Sequence, residues 1–507
     1  MARTLVSRLQ QRVTKTCRRY TASHTETSPL LKSIYGPSSP TDTCHIQDLL
    51  EEQHTVPMGN PRASWPLEAR IITTSALPLA VTFLLQYSVD TFSLIAAGKM
   101  GKLELGAVSL ANLSAAITCF APIQGLATSL DTLCAQAYGS GDKHLIGRYC
   151  QRMTLFLFCL LVPISLLWLY SESIIIHVVS DAQAAHLTSL YLRVLLFGVP
   201  GYILFETGKR FLQAQGLFRA TTYILVIAAP CHVLLISFLV GKLGFIGAPL
   251  AVAITRTLIP ILLILYVKFI NGSSCWGGFS SHAFTNWYTM IRLAIPGMIV
   301  VEAEYLAFEV MILISGRFGI DYLAAQSILV AVATISFQIP FSVSIAASTR
   351  IASLIGAGLV DSARVAAKVA VVATCITGLA NLFIYNAFRL RLPYIFTNDP
   401  AVAALTSTVL PLLSVTCCFE GLAATAHGLL RGIGRQYIGG PATLSAYYLV
   451  ALPCALAFGL VLDWKCHGLI LGLTLGLVVV LLIEYTYLCL TDWRKTAAEA
   501  AIRNAAG

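Results

Sequence analysis

The chain has 507 residues, of which 57% are hydrophobic and only 11% charged, and its mean hydropathy is +0.76. Soluble domains carry roughly 25% charged residues, so this chain has too little charge to cover its own surface, which excludes a soluble enzyme, a DNA-binding domain and a disordered regulator. The formal charge of +10 is no nucleic-acid signature either: 8 of the 34 Lys and Arg lie in the first 62 residues, and no basic stripe interleaves with aromatics.

Residues 1–67 are polar and rich in Ser, Thr, Pro and charge, which reads as a disordered cytosolic tail. Its start, with Arg3, Arg8, Arg12, Lys15, Arg18 and Arg19 and no acid before Glu26, has transit-peptide composition. A basic tail near anionic lipid headgroups is the simpler reading. The stretch from Glu26 to Leu31 resembles an acidic dileucine sorting signal.

A membrane helix needs about 20 apolar residues. Twelve such stretches follow, at 69–96, 105–134, 150–170, 186–208, 219–241, 244–268, 288–315, 322–349, 366–388, 402–426, 437–461 and 468–490. The expected architecture is an all-α polytopic membrane protein: a first lobe over 68–270, a loop over 271–286, a second lobe over 287–492 and a C-terminal tail over 493–507. An even number of spans places both termini on one side. The loops and tail on that side hold sixteen Lys and Arg against seven opposite, Lys209, Arg210 and Arg431 counted among the sixteen. The positive-inside rule then makes both termini and the inter-lobe loop cytosolic. Two glycosylation patterns, at Asn112 and Asn271, fall in a span and a cytosolic loop, so neither is expected to be used. The 14 Cys are scattered through apolar runs without a C-x-x-C pair and read as small hydrophobes.

The two halves repeat at an offset near 218 residues. Ala76, Pro78, Tyr87, Gly98, Gly101, Leu105, Ala107 and Ser109 meet Ala294, Pro296, Tyr305, Gly316, Gly319, Leu323, Ala325 and Ser327 without a gap. Pro122 meets Pro340, Gly139 meets Gly356 one residue out of step, and Gly216 meets Gly434. Six spans per copy make these parallel repeats about an axis along the membrane normal, an arrangement transporters use with a substrate site near mid-membrane.

Acids inside the spans mark the chemistry, since a carboxylate at the bilayer centre costs about 2.5–3.5 kcal/mol on insertion scales. They are Asp90, Asp131, Glu206, Glu302, Glu304, Glu309, Glu420 and Glu484. At 100° per residue Glu302 and Glu309 share a helix face and Glu304 takes another. Arg193 and Arg256 offer partners for Glu206, and Glu484 and Asp131 read as interfacial. A buried carboxyl that can hold either a proton or a cation supplies the minimal chemistry of proton/cation exchange. Tyr87, Tyr305, Phe308, Phe337 and Phe419 neighbour the acids, and an aromatic face adds about 0.5–2 kcal/mol to cation binding. His232 and His427 read as isolated packing residues. Pro296 is expected to kink its helix and, with Pro78, to act as a hinge.

Several motifs then carry a resemblance: Gln124-Gly-Leu126; Ser129 to Gly139, with Asp131, Gln136 and Tyr138; Ala294-Ile-Pro296 followed by Glu304-Tyr305 and Phe308-Glu309; Ala325-Gln326-Ser327; Cys418-Phe419-Glu420-Gly421; and Leu430 to Gln436. Over residues 68–492 the chain resembles the multidrug and toxic compound extrusion (MATE) family, in its eukaryotic, fungal-like branch. The resemblance implies two six-helix lobes forming a V, and export of organic cations and other amphiphiles in exchange for protons or sodium. It assigns cation or proton binding to Glu304, Glu309 and Glu420, and to Asp90 by likeness to bacterial relatives. Glu302, Glu206, Asp131, Tyr305, Phe308, Phe419 and Gln326 are accessory candidates. Three departures stand out: Ala331 at the eighth-span Glu of animal relatives, Lys99-Met100 in the first turn, and the extra Glu302.

The expected function is a secondary exporter of cations, drugs or secondary metabolites, working as a monomer in the plasma or vacuolar membrane. It needs no cofactor and no nucleic acid; its partners are the solute, membrane lipid and a coupling ion, H⁺ with Na⁺ as the alternative. A lipid flippase on a related bundle stays open. A major facilitator is disfavoured because the glycines around Asp142 and Arg148 are misplaced for its loop signature. A membrane enzyme would need clustered metal ligands or paired aspartates, and an ATP-driven pump a phosphate-binding loop; the sequence has none of these.

Overall fold

The computed structural model describes residues 64–177 and 181–505, and every regular element among them is helical. The basic run and the dileucine pattern lie outside the described residues. The first helix, α1 (Trp65–Met100), is followed by α2, which runs as Lys102–Ala115, a π turn at Ala116–Phe120, Ala121–Ala127 and Ser129–Ser140. Asp142 caps α3 (Lys143–Leu169) by accepting from the Leu145 amide. A short helix, Ser171–Ile175, leads to α4, in which Ala182–Leu195 joins Val199–Ala214 through a 3₁₀ turn. Then come α5 (Phe218–Leu243) and α6 (Gly247–Phe269). The second half holds α7 (Trp287–Ser315), α8 (Ile320–Gly356), α9 (Val360–Phe388), α10 (Pro400–Gly432), α11 (Gln436–Ser445 extended by π turns to Val461) and α12 (Lys465–Leu490).

Among the described residues, ten stretches are long and apolar enough to cross a membrane by length and composition. One of them, Phe218–Phe269, holds both α5 and α6. Of α1 to α12 only α7 falls outside that set, because Glu302, Glu304 and Glu309 stand so close together in it. Such a helix is tolerated in a membrane when neighbouring protein receives its acids.

Each half has a core of its own, and Met290, Leu293 and Ala294 at the start of α7 and Ala352 of α8 join that of the first half. Leu130, Met153, Trp168, Tyr191 and Leu225 belong to the first, and Leu329, Leu410, Tyr447 and Leu473 to the second. Ile72 and Leu79 of α1 pack with Ile351, Ala366 and Leu430 of the second half, so α1 serves both.

The face that carries the chain ends is stitched shut between the halves. Glu68 accepts two bonds from Arg350, at 2.7 and 2.8 Å. Thr132 donates to the Arg431 carbonyl at 2.6 Å, the Gln136 amide to the Gly432 carbonyl at 3.1 Å, and the Gln436 amide to Thr132 at 3.0 Å. Where α2 crosses α8, a Cβ on Gly139 would sit 1.9 Å from the Ser353 carbonyl oxygen, and one on Gly356 would sit 2.1 Å from that of Gln136. Gly139 and Gly356 are 217 apart, and so are Gln136 and Ser353, the one-out-of-step offset of the repeat, so each half meets the other reciprocally. Without a hydrophobic drive between helices in lipid, small residues that admit close backbones supply the packing. Gly139→Ala should therefore lower the apparent Tm, with overpacking costing about 1–3 kcal/mol. It should also speed hydrogen exchange in both helix ends at the crossing; unchanged stability and exchange would contradict the close approach.

Two sequence readings of this face need correction. Lys209, Arg210 and Arg431 are not loop residues: they are 4, 5 and 8% exposed, within α4 and α10. Removing them from the count leaves thirteen basic residues against seven, so the bias persists. Residues 493–505 are also no free tail. They form α13 (Trp493–Ala505), which buries Trp493, Thr496 and Ala500, while Arg503 and Asn504 both donate to Gln136 on α2. Pro78 and Pro296 lie inside uninterrupted helices, and the Pro78 carbonyl accepts from Thr82 at 2.9 Å and Thr222 at 2.8 Å.

Candidate functional site

In the second half, α7, α10, α11 and α12 bring an acid cluster together. Glu420 and His427 are seven residues apart on α10, two helical turns, so both face the same way. Opposite them α12 supplies Glu484, fully buried, with its Oε1 2.9 Å from His427 Nδ1. From α7, Glu304 lies within electrostatic reach of Glu420, Glu484, His427 and Arg431. The buried Tyr447 of α11 lies within reach of Glu304, Glu420 and Glu484. Arg431 closes the site toward the chain ends, with Nη2 donating to Ser344 at 3.3 Å. Glu484 is thus not interfacial and His427 is not isolated. Their pairing is invisible in the sequence because it joins helices 57 residues apart; the signal was two embedded titratable groups on apolar helices that both needed a partner.

The other α7 acids stand apart. Glu302 is partly buried near Tyr448, with Oε2 unbonded among the described residues, and Glu309 is partly buried on the same helix face. Phe308 and Phe419 pack against the core around Met311 and Tyr447. Gln326 is 1% exposed and its Oε1 has no hydrogen-bond partner among the described residues. The side chain of Asp90 lies outside the described residues.

In the first half the charged groups form a closed network. Glu206 pairs neither with Arg193 nor with Arg256. Its Oε1 is 2.7 Å from Lys209 Nζ and its Oε2 2.5 Å from Arg210 Nη1. Arg210 also reaches Asp131 at 3.2 Å and donates to the Gln124 carbonyl at 3.1 Å. The reason is local: spacings of three and four residues put Lys209 and Arg210 on the Glu206 face of α4. Arg193 instead meets Glu172 at 3.1 Å. Asp131 is buried, not interfacial. His232 is hydrogen-bonded to Ser93 and Thr255.

Between the halves lies a cavity of about 370 Å³. Tyr87, Asn112, Phe120, Gln124, Tyr202 and Arg256 line it from the first half, and Tyr305, Thr334 and Gln338 from the second. Arg256 sits 3.8 Å from the Phe120 ring centroid and 5.3 Å from that of Tyr202. The described residues that line it include no carboxylate, so the Glu304–Glu420 cluster and this cavity are separate places.

The family model MatE matches the chain twice, over residues 78–239 and 296–456, at the 218-residue offset of the internal repeat. The chain belongs to the MATE family. It is 40% identical over 449 residues to an uncharacterised transporter of Saccharomyces cerevisiae, a match covering 88% of this chain and 64%, just under two thirds, of the yeast protein. It is 33% identical to Protein DETOXIFICATION 17 of Arabidopsis thaliana (84% and 90% covered) and 30% identical to mouse Multidrug and toxin extrusion protein 2 (86% and 77%). Among solved structures, the eukaryotic MATE transporter AtDTX14 superposes with a TM-score of 0.82 at 30% identity, covering 87% of this chain and 99% of that one. The twelve helices in two repeats are the MATE fold, and this MATE protein is a membrane transporter, not an enzyme.

Proposed function

We propose that this MATE protein exports cationic or amphiphilic organic solutes from the cytosol in exchange for protons, by alternating access. The observation that carries the reading is the acid cluster in the second half: buried Glu420 and Glu484 with the half-buried Glu304 and His427. Several carboxylates buried at close range oppose one another's charge, so such a cluster can load and release a proton as its surroundings change. The aromatic cavity beside it, with Tyr87, Tyr202 and Tyr305, is the place for the solute. Solute and proton then compete through lobe movement, because each prefers a different arrangement of α7 and α8. Pro296 and Pro78 are the natural bending points of α7 and α1. The closed face of the chain ends supports reading this structure as the state that offers its cavity outward, with both termini cytosolic, in the plasma or vacuolar membrane, and with the monomer as the working unit.

Uptake of a fluorescent organic cation into vesicles holding the purified protein, with an imposed pH gradient and no sodium, tests this. The expected result is accumulation that scales with the gradient, up to roughly tenfold per pH unit for one-for-one exchange. Accumulation that needs a sodium gradient instead would reassign the coupling ion.

A further inference from the structure

The helix α13 joins the two halves unevenly. Trp493 and Ala500 belong to one core with Ile351 and Leu354 of α8, Ala363 of α9 and Leu430 of α10, so the body of the helix is seated on the second half. Glu499 adds an ion pair to Arg435 at the α10–α11 turn, at 2.8 Å, again within the second half. The last turn reaches the other way. Arg503 Nη2 donates to the side-chain oxygen of Gln136, and Asn504 Nδ2 donates to the Gln136 main-chain carbonyl at 3.3 Å. Gln136 stands on α2, in the first half, and is fully buried. Its side-chain nitrogen donates to the Gly432 carbonyl of α10, so both ends of its amide are held from across the boundary. The Arg503 guanidinium passes over the turn at Gly434, where φ is +74° and an added Cβ would crowd Nη2 at 3.1 Å. A glycine there fits both the backbone and the passage of the arginine.

We propose that α13 is a clasp on the closed face: seated on the second half, it grips Gln136 of the first through Arg503 and Asn504, and it must release that residue whenever the face opens. The physical argument is differential contact. The apolar seat and the Glu499–Arg435 pair lie within one half and move with it, so they are made in both states. The two bonds to Gln136 cross the boundary and hold only while α2 stays against the second half. A contact made in one state alone shifts the equilibrium toward that state. The bond from Arg503 weighs most, because a guanidinium keeps its charge at any ordinary pH and a charged donor makes the stronger hydrogen bond. The clasp therefore sets how often the face of the chain ends opens, acting at a distance from the acid cluster and the aromatic cavity. The inference rests on the lobe movement proposed above and stands whether or not the transported ion is a proton.

Hydrogen–deuterium exchange of the full-length protein in lipid nanodiscs reads both faces at once: the last turns of α2 and α8 at the clasped face, and the turns at Gly101 and Gly319 opposite. In Arg503→Gln combined with Asn504→Ala, exchange is expected to rise about tenfold at the clasped face and to slow at the opposite turns. Opposite signs at the two faces mark a shift in population. Faster exchange at the clasped face alone is local fraying and overturns the proposal. Arg503→Lys keeps the charge and the seat of the helix but not the fork, so it should fall between wild type and the double variant. Glu499→Gln breaks a contact within the second half and should leave both faces near wild type; an effect as large as that of the double variant makes α13 a general stabiliser and overturns the clasp. Wild-type protein titrated with a fluorescent organic cation tests the lobe movement separately. If the solute changes exchange at neither face, the lobe movement fails and the clasp falls with it. If wild type switches and the double variant exchanges as wild type does, the clasp alone is overturned.

Discussion

Glu420→Gln and Glu304→Gln should each abolish solute accumulation driven by a pH gradient, while Glu309→Gln and Glu302→Gln retain most of it. Glutamine keeps the volume and most hydrogen bonding of glutamate but has no charge to gain or lose. A residue whose task is to take up and release a proton therefore loses that task completely, whereas one with a packing task loses little. The separation among the four follows from position. Glu304 and Glu420 lie within reach of each other and of the His427–Glu484 pair, whereas Glu302 and Glu309 face elsewhere on α7. In coupled vesicles the accumulation ratio would fall from about tenfold per pH unit to no accumulation. Downhill equilibration of solute, measured without a gradient, separates loss of coupling from loss of solute binding. Loss of accumulation in Glu309→Gln with normal accumulation in Glu420→Gln would move the proton site to the other face of α7.

The family's fold was legible early because a membrane reduces it to a few simple signals. Twenty apolar residues must cross as a helix, and the pairing of Ala76, Pro78 and Gly98 with Ala294, Pro296 and Gly316 reveals the duplication from the sequence alone. What the sequence concealed was partner choice. Lys209 and Arg210 follow an apolar run and precede Gly216, which makes them look like loop cations. Only the spacing from Glu206 hinted that they fold back on it, and Asp131, 79 residues before Arg210, had no local signal at all. Glu484 and His427 were similarly hidden, each being an ordinary oddity on its own helix. α13 was missed because a polar, charged segment gives no apolar run, although Trp493, Thr496 and Ala500 fall at helical spacing and supply the face that buries.

Arg210→Ala should be among the most destabilising single changes in the chain, lowering stability by about 3–5 kcal/mol. Removing this guanidinium strips Asp131 of its charge partner and leaves Glu206 with Lys209 alone, all of them 5% exposed or less. The loss exceeds that of a typical surface ion pair, worth about 0–1 kcal/mol, because the remaining carboxylates cannot turn to water. Arg210→Lys should fall between the two, since an ammonium cannot reach Glu206, Asp131 and the Gln124 carbonyl from one position as the planar fork does. Thermal unfolding of the purified variants in one detergent reads the series. The cause can be separated from mere loss of volume by adding Asp131→Asn to Arg210→Ala: if an uncompensated charge is responsible, the double variant recovers part of the stability, because the second change removes the orphaned carboxylate. A double variant less stable than Arg210→Ala would mean that the network stabilises through packing and hydrogen bonds, with its charges incidental.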